Sequence, residues 1–343
     1  MTIRWGAIGC GKVAEVKSAP GLQKAQGSSL RTVMRRDAAL AEDYARRHGV
    51  PHWTTDADAL IDDPEIDAVY IATPPGDHLD YAIRVAAAGK PAYVEKPMAR
   101  NYDECCRMID AFTKAGQPLF VAYYRRALPR FLKVKELIEA GRLGQVTMVS
   151  YRYADARWRD LDLNSLPWRF LAEHSGGGLF MDLGSHALDI LDFLLGPIEY
   201  VEGKAANLAS PHDVEDAVAM HFRFPGGALG TAAWNFAAAA REDVLEITGT
   251  SGKVAMSLFG NDPVRLVAAD TGEEIFDLPN PPHIQQPLIQ TIVDQLHGRG
   301  QCPSTGESAA RTAQVMDTAL SAYYGGRSDG FWNRPQSWPG RRA

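Results

Sequence analysis

Along the first 120 residues, short apolar-rich runs alternate with longer amphipathic stretches. Ile3–Ile8, Leu30–Met34, Ala68–Ala72, Ala92–Val94 and Leu119–Ala122 have the length and content of buried strands. Between them, Ala38–His48, His78–Ala88 and Tyr102–Lys114 repeat their apolar positions at helical spacing. Gly49, Gly89 and Gly116 stand just past these stretches, where a left-handed C-cap is expected. Strands alternating with helices predict a parallel sheet joined by right-handed crossovers.

The pattern changes near residue 122. Phe131–Ala140 reads as a helix, Val146–Tyr153 as a strand, and Gly178–Leu195 as a helix ending at Gly196-Pro197. Then the period shortens to two. In Asp216–Phe224, Val218, Met220, Phe222 and Phe224 share one face, while Ala219, His221 and Arg223 share the other. Ala228–Phe236, Val244–Thr248 and Lys253–Leu258 continue this series, and Ile284–His297 and Glu307–Tyr324 are two closing helices. The fold class expected is an α/β Rossmann domain with a parallel sheet (residues 1–122), followed by an α+β domain with a large, open, mostly antiparallel sheet (residues 123–343).

Composition narrows the function classes. The chain has 343 residues, 45% of them hydrophobic, and a formal net charge of -6. A mildly acidic surface lacks the basic footprint of a nucleic-acid or anionic-membrane binder. The four cysteines form no CxxC pair, and cysteines and histidines do not cluster at ligand spacing, so neither disulfides nor a metal is expected. No export signal and no apolar run of membrane-spanning length stands out, which places the chain in the cytoplasm.

Gly9-Cys10-Gly11-Lys12-Val13-Ala14 follows the first strand and opens a helical stretch, the setting in which GxGxxG/A binds a dinucleotide. Gly9 permits the tight turn, Gly11 lets the backbone approach a pyrophosphate, and Ala14 lets helix and strand pack closely. The main chain of residues 9–13 is therefore the candidate phosphate cradle. NAD needs a carboxylate at the end of the second strand for its ribose 2′-hydroxyl. Arg35 stands in that place and Arg36 follows it. Guanidinium groups suit a 2′-phosphate, so NADP(H) is favoured over NAD(H); the opposing reading is a solvated basic loop, with Asp37 or a backbone group serving NAD.

Two more motifs stand out. One joins Ala72-Thr73-Pro74-Pro75 and His78 to Val94-Glu95-Lys96-Pro97; the other is Gly176-Gly177-Gly178-Leu179-Phe180-Met181-Asp182-Leu183-Gly184-Ser185-His186. With the glycine turn, they give a chain that resembles the Gfo/Idh/MocA family of oxidoreductases, which includes glucose–fructose oxidoreductase and inositol dehydrogenase. The resemblance implies catalytic roles for Lys96, Asp182 and His186, and a cis peptide at Lys96–Pro97. It assigns Thr73, Pro74, Pro75, His78, Glu95 and Lys96 to the cofactor side, with His78 shaping its loop.

The chemistry agrees. Asp182 and His186 are four apart, on one helix face, with Leu183, Ala187, Ile190 and Leu194 opposite. An imidazole titrates in the range that proton transfer at a carbinol oxygen requires. A lysine stabilises negative charge developing on that oxygen. Asp182 would orient the imidazole or bind a neighbouring hydroxyl. By the same resemblance Tyr123, Arg125, Trp168 and Arg169 line the substrate cleft beside Asp182 and His186, and the substrate class is a sugar, polyol or related cyclic compound. Two other readings stand beside it: reduction of a non-sugar carbonyl, dihydrodiol or imine, and a non-catalytic dinucleotide-binding sensor. The apolar face of the second sheet packs either on the chain's own helices or on another subunit, and a homodimer or homotetramer is expected.

Overall fold

The computed structural model describes residues 2–11, 14–156, 161–162, 164–328 and 330–342. Its first six strands form a parallel sheet: β1 (Ile3–Ile8), β2 (Ser28–Met34), β3 (His52–Thr54), β4 (Ala68–Ile71), β5 (Ala92–Val94) and β6 (Leu119–Val121). The order is β3-β2-β1-β4-β5-β6, the doubly wound Rossmann arrangement. Its helices are α1 (Ala19–Lys24), α2 (Ala38–His48), α3 (Ala57–Ile61), α4 (Pro75–Ala87) and α5 (Tyr102–Ala115). Gly49, Gly89 and Gly116 take φ of 62°, 70° and 63°, the left-handed values expected of them. The short β3 and α3 were not foreseen. β3 is largely exposed and so lacks the apolar run of the equally short β5 and β6, and α3 is too short to show a period.

The rest begins with α6 (Pro129–Glu139), β7 (Val146–Ala154), α7 (Ala172–Ser175) and α8 (Ser185–Leu195). β8 (Tyr200–Ala206), β9 (Ala217–Arg223), β10 (Leu229–Asn235), β11 (Glu242–Gly249), β12 (Gly252–Met256), β13 (Val264–Ala268) and β14 (Gly272–Phe276) follow, then α9 (Gln286–Leu296) and α10 (Gly306–Tyr324). The eight strands from β7 onward form one sheet, antiparallel except where β10 lies parallel to β7. Val218, Met220, Phe222 and Phe224 are buried within the chain itself, which settles where that apolar stripe points. The other face exposes Met148, Leu229 and Val267 among cross-strand ion pairs such as Arg152–Glu242 and Lys253–Glu246.

Two compact units emerge: residues 1–99, 103–128 and 281–310, and residues 100–102, 129–280 and 311–343. The boundary expected at residue 122 therefore needs correction: Pro281–Ala310 belongs with the Rossmann sheet. An amphipathic helix announces that it packs, but not on what. α9 buries Leu288, Ile289, Ile292 and Val293. It lies so close to α1 that a Cβ on Gly21 would come 2.7 Å from Ile289 Cδ1. No helix among the described residues is long and apolar enough to cross a membrane.

Candidate active site

The glycine turn at the end of β1 follows from sterics. Gly9 has φ +84°, and a Cβ there would lie 2.8 Å from the Thr73 nitrogen. At Gly11 a Cβ would meet only the Gly9 oxygen, at 3.9 Å, so the backbone is open to a close-lying group. The segment beyond is a π-helical turn (Ala14–Ser18) running into α1, not the single regular helix expected. Lys12 and Val13 lie outside the described residues, as do Arg157, Trp158 and Arg159. Cys10 is buried, its thiol faces the Ala7 carbonyl, and burial pushes it up to about 12. Only its main chain is available to a ligand.

At the end of β2, Asp37 caps α2, accepting the Leu40 N–H at 3.0 Å. Arg35 and Arg36 form no ion pair among the described residues. The Thr73 hydroxyl after β4 is buried without a hydrogen-bond partner among the described residues. An open glycine backbone, an orphaned hydroxyl and two cations without an ion pair fit a dinucleotide. His78 is fully buried, with Nε2 2.8 Å from the Thr73 carbonyl and Nδ1 3.1 Å from that of Met98. It spans the loops after β4 and β5, and burial holds its pKa below the ordinary value.

Lys96 follows β5, and its bond to Pro97 is cis. Its N–H donates to the buried Glu95 carboxylate at 3.2 Å. Tyr123 is buried before a short 3₁₀ turn (Tyr124–Ala127), and Arg125 is buried within it. Tyr124 was not singled out in the sequence. Lys17 Nζ stands 5.9 Å and Arg125 Cζ 5.1 Å from its ring centre. Burial opposes ionisation of this phenol, but Arg125, Lys17 and Lys96 outweigh it and bring its pKa below the usual tyrosine value. The signal available was the basic neighbour in Tyr124-Arg125-Arg126, which does not reveal that Lys17 converges there.

The second unit carries Trp168, Arg169, Asp182 and His186. The Arg169 guanidinium lies 4.3 Å from the Trp168 ring centre, and its Nε donates to Asp182 at 3.0 Å. Trp168 and Arg169 sit on a 3₁₀ turn, and Phe170 beside them packs on His212 at 4.7 Å. Asp182 lies in a π-helical turn (Phe180–Gly184) that leads into α8, so the helix expected over residues 178–195 is correct in place but not in winding. The Phe180 ring covers Gly184, where a Cβ would come within 2.3 Å of it. His186 and Asp189 are buried, so the polar stripe points into the fold with its surroundings on every side.

The triple glycine before this turn has a local cause. Gly176 is left-handed (φ +80°), and a Cβ on Gly178 would lie 2.4 Å from the Glu215 carbonyl oxygen. The Gly178 N–H donates to both carboxylate oxygens of Glu215 at 2.9 Å, and the Tyr324 hydroxyl donates to the same group. Burial pushes the Glu215 carboxyl above its ordinary value, against the pull of Tyr324 and Arg327. Glu215 escaped the sequence reading because nothing in Val214-Glu215-Asp216 distinguishes it from a strand-end carboxylate. No group of three or more His, Cys, Asp or Glu residues able to hold a metal occurs among the described residues.

Comparison with known proteins gives the family and the fold. Residues 3–123 match a family described as oxidoreductase family, NAD-binding Rossmann fold, and residues 131–255 match the GFO/IDH/MocA C-terminal domain. The chain is 37% identical over 318 residues to Oxidoreductase P35 of Formosa agariphila, covering 92% of this chain and 97% of that one. It is 32% identical over 256 residues to levoglucosan dehydrogenase of Pseudarthrobacter phenanthrenivorans, covering 67% and 65%. A solved structure of levoglucosan dehydrogenase with NADH and levoglucosan shares the fold at a TM-score of 0.84 and 24% identity, over 94% of this chain and 97% of that one.

Proposed function

The chain belongs to the Gfo/Idh/MocA family of oxidoreductases, and on that premise we propose that it is an NADP(H)-dependent enzyme transferring a hydride between the nicotinamide and a hydroxyl or carbonyl carbon of a sugar, polyol or related small cyclic substrate. The observation that carries the cofactor choice is at the end of β2. Asp37 is committed to capping α2, while Arg35 and Arg36 carry uncompensated charge where a ribose 2′-phosphate would lie. The substrate class rests on the likeness to levoglucosan dehydrogenase.

Hydride exchange is the chemistry the nicotinamide supplies when bound. The main chain at Gly9–Gly11 holds the pyrophosphate, and Thr73 supplies a hydroxyl donor. Lys96 and His186 handle the proton at the reacting substrate oxygen, Lys96 by stabilising negative charge there and His186 by taking or giving the proton. Arg169 fixes the Asp182 carboxylate beside a half-exposed tryptophan, a pairing suited to vicinal hydroxyls. Free thiols at all four cysteines support a reducing, cytoplasmic setting. A second copy would pack on the outward face of the eight-stranded sheet, where Met148, Leu229 and Val267 stand exposed.

The test is absorbance of reduced nicotinamide across levoglucosan, inositols and other sugars and polyols, with NADP+ and NAD+ compared. Native protein is expected to turn over with NADP+ preferred, and Lys96→Met to be silent. Arg35→Ala with Arg36→Ala is expected to raise KM for NADP+ about ten- to a hundredfold and to leave that for NAD+ nearly unchanged. Preference for NAD+ in the native protein would overturn the cofactor assignment.

A further inference from the structure

The segment that joins the Rossmann unit from far along the chain brings one polar side chain into its interior. Gln285, just before α9, is fully buried. Its Nε2 donates to Glu95 Oε1 at 2.7 Å, and its Oε1 accepts the Tyr93 hydroxyl at 2.8 Å. The Tyr70 hydroxyl donates to the same Glu95 oxygen at 2.7 Å, and the other Glu95 oxygen accepts the Lys96 N–H. Chemistry fixes the orientation of the amide. A carboxylate only accepts, so the amide NH2 must face Glu95 and its oxygen must face Tyr93. Burial holds both phenols well above their usual pKa, so both remain donors.

A buried carboxylate is tolerated only when its oxygens are hydrogen-bonded. Gln285 meets that need without cancelling the charge, as a lysine or arginine would. Glu95 also acts on His78 and Tyr124, raising the pKa of each against larger opposing causes. It also grips the main chain at Lys96. We propose that Gln285 is a positioning residue for Lys96, acting through Glu95: the amide orients the carboxylate, and the carboxylate fixes the backbone from which the lysine side chain departs. This rests on the reading of Lys96 as a proton-handling group.

The test compares native protein with Gln285→Leu, which keeps the volume and removes both hydrogen bonds. With the best substrate of the panel and NADP+, kcat is expected to fall about ten- to a hundredfold, because small misplacement of a reacting group is costly. The Kd for NADPH, read by fluorescence titration, is expected to stay within about threefold. In a Glu95→Gln background the same substitution is expected to add less than about threefold, since residues acting as a unit are not additive. Tyr93→Phe, which keeps the ring, is expected to lower kcat in the same direction and covers the case in which Gln285→Leu folds poorly. Pulse acylation of lysines with acetic anhydride, read by mass spectrometry, needs no turnover. Gln285→Leu is expected to change the labelling rate of Lys96 and not that of Lys133. Unchanged kcat and unchanged Lys96 labelling, or equal losses of kcat in both backgrounds, would overturn the proposal. Silence of the native protein on every substrate would count against the oxidoreductase assignment instead, with the Lys96 labelling still deciding the role of Gln285.

Discussion

Glu95 in the first unit and Glu215 in the second are both buried carboxylates, and each grips the main chain of a segment that carries a candidate catalytic side chain. They are held differently. Glu95 is surrounded by side chains drawn from distant parts of the chain, Tyr70 and Gln285. Glu215 is met by a glycine backbone pressed against it, by Tyr324, and by the charge of Arg327. A side-chain network can lose one member and relax. A close backbone approach has no such freedom, because any Cβ at Gly178 must displace main chain. The second unit should therefore be the more brittle, and the first the more tunable.

Gly178→Ala tests this most severely. The new methyl group would sit against the Glu215 carbonyl, and a cost of about 3 kcal/mol is expected, read from the urea midpoint, with lost activity because Asp182 lies one turn on. A midpoint close to native would break the comparison.

Glu215→Gln probes the charge. Burial raises the folded-state pKa of Glu215 above its unfolded value. Its contribution to stability is thus fully present below about pH 4.3 and is lost as pH rises through the folded value. Native protein is expected to gain on Glu215→Gln as the pH is lowered and to lose that advantage toward neutrality. A difference independent of pH would show that burial does not raise the Glu215 carboxyl above its unfolded value.

The mildest change is removal of a hydroxyl. Tyr324→Phe is expected to cost about 1 kcal/mol by thermal denaturation and to steepen the pH dependence just described, because a donor to the ionised form is lost. Tyr93→Phe should cost a similar amount with no such pH effect. Its hydroxyl serves an amide, which does not titrate.

How much of this could be read beforehand follows the same divide. The glycine turn, the five foreseen strand runs of the first sheet and the Asp182/His186 stripe are local patterns, and local steric rules place them. The contribution of Gln285 is not local. Its partner Glu95 lies 190 positions away, and nothing in His283-Ile284-Gln285-Gln286 announces a buried amide. The π-helical winding at Phe180–Gly184 depends on a ring lying over Gly184, a packing fact rather than a propensity. β8, β13 and β14 escaped because β8 and β14 are half-exposed, and in β13 the exposed Val267 breaks the apolar–polar alternation.

The central proposal is that Lys96 and His186 serve one proton-transfer step. The most direct measurement is kcat for Lys96→Met, His186→Asn and the double variant, with the best substrate and NADP+. If the two groups act together, the double variant should be about as slow as the slower single one. Losses that multiply across the two substitutions would contradict a shared step and would mean that one of these residues serves a separate role.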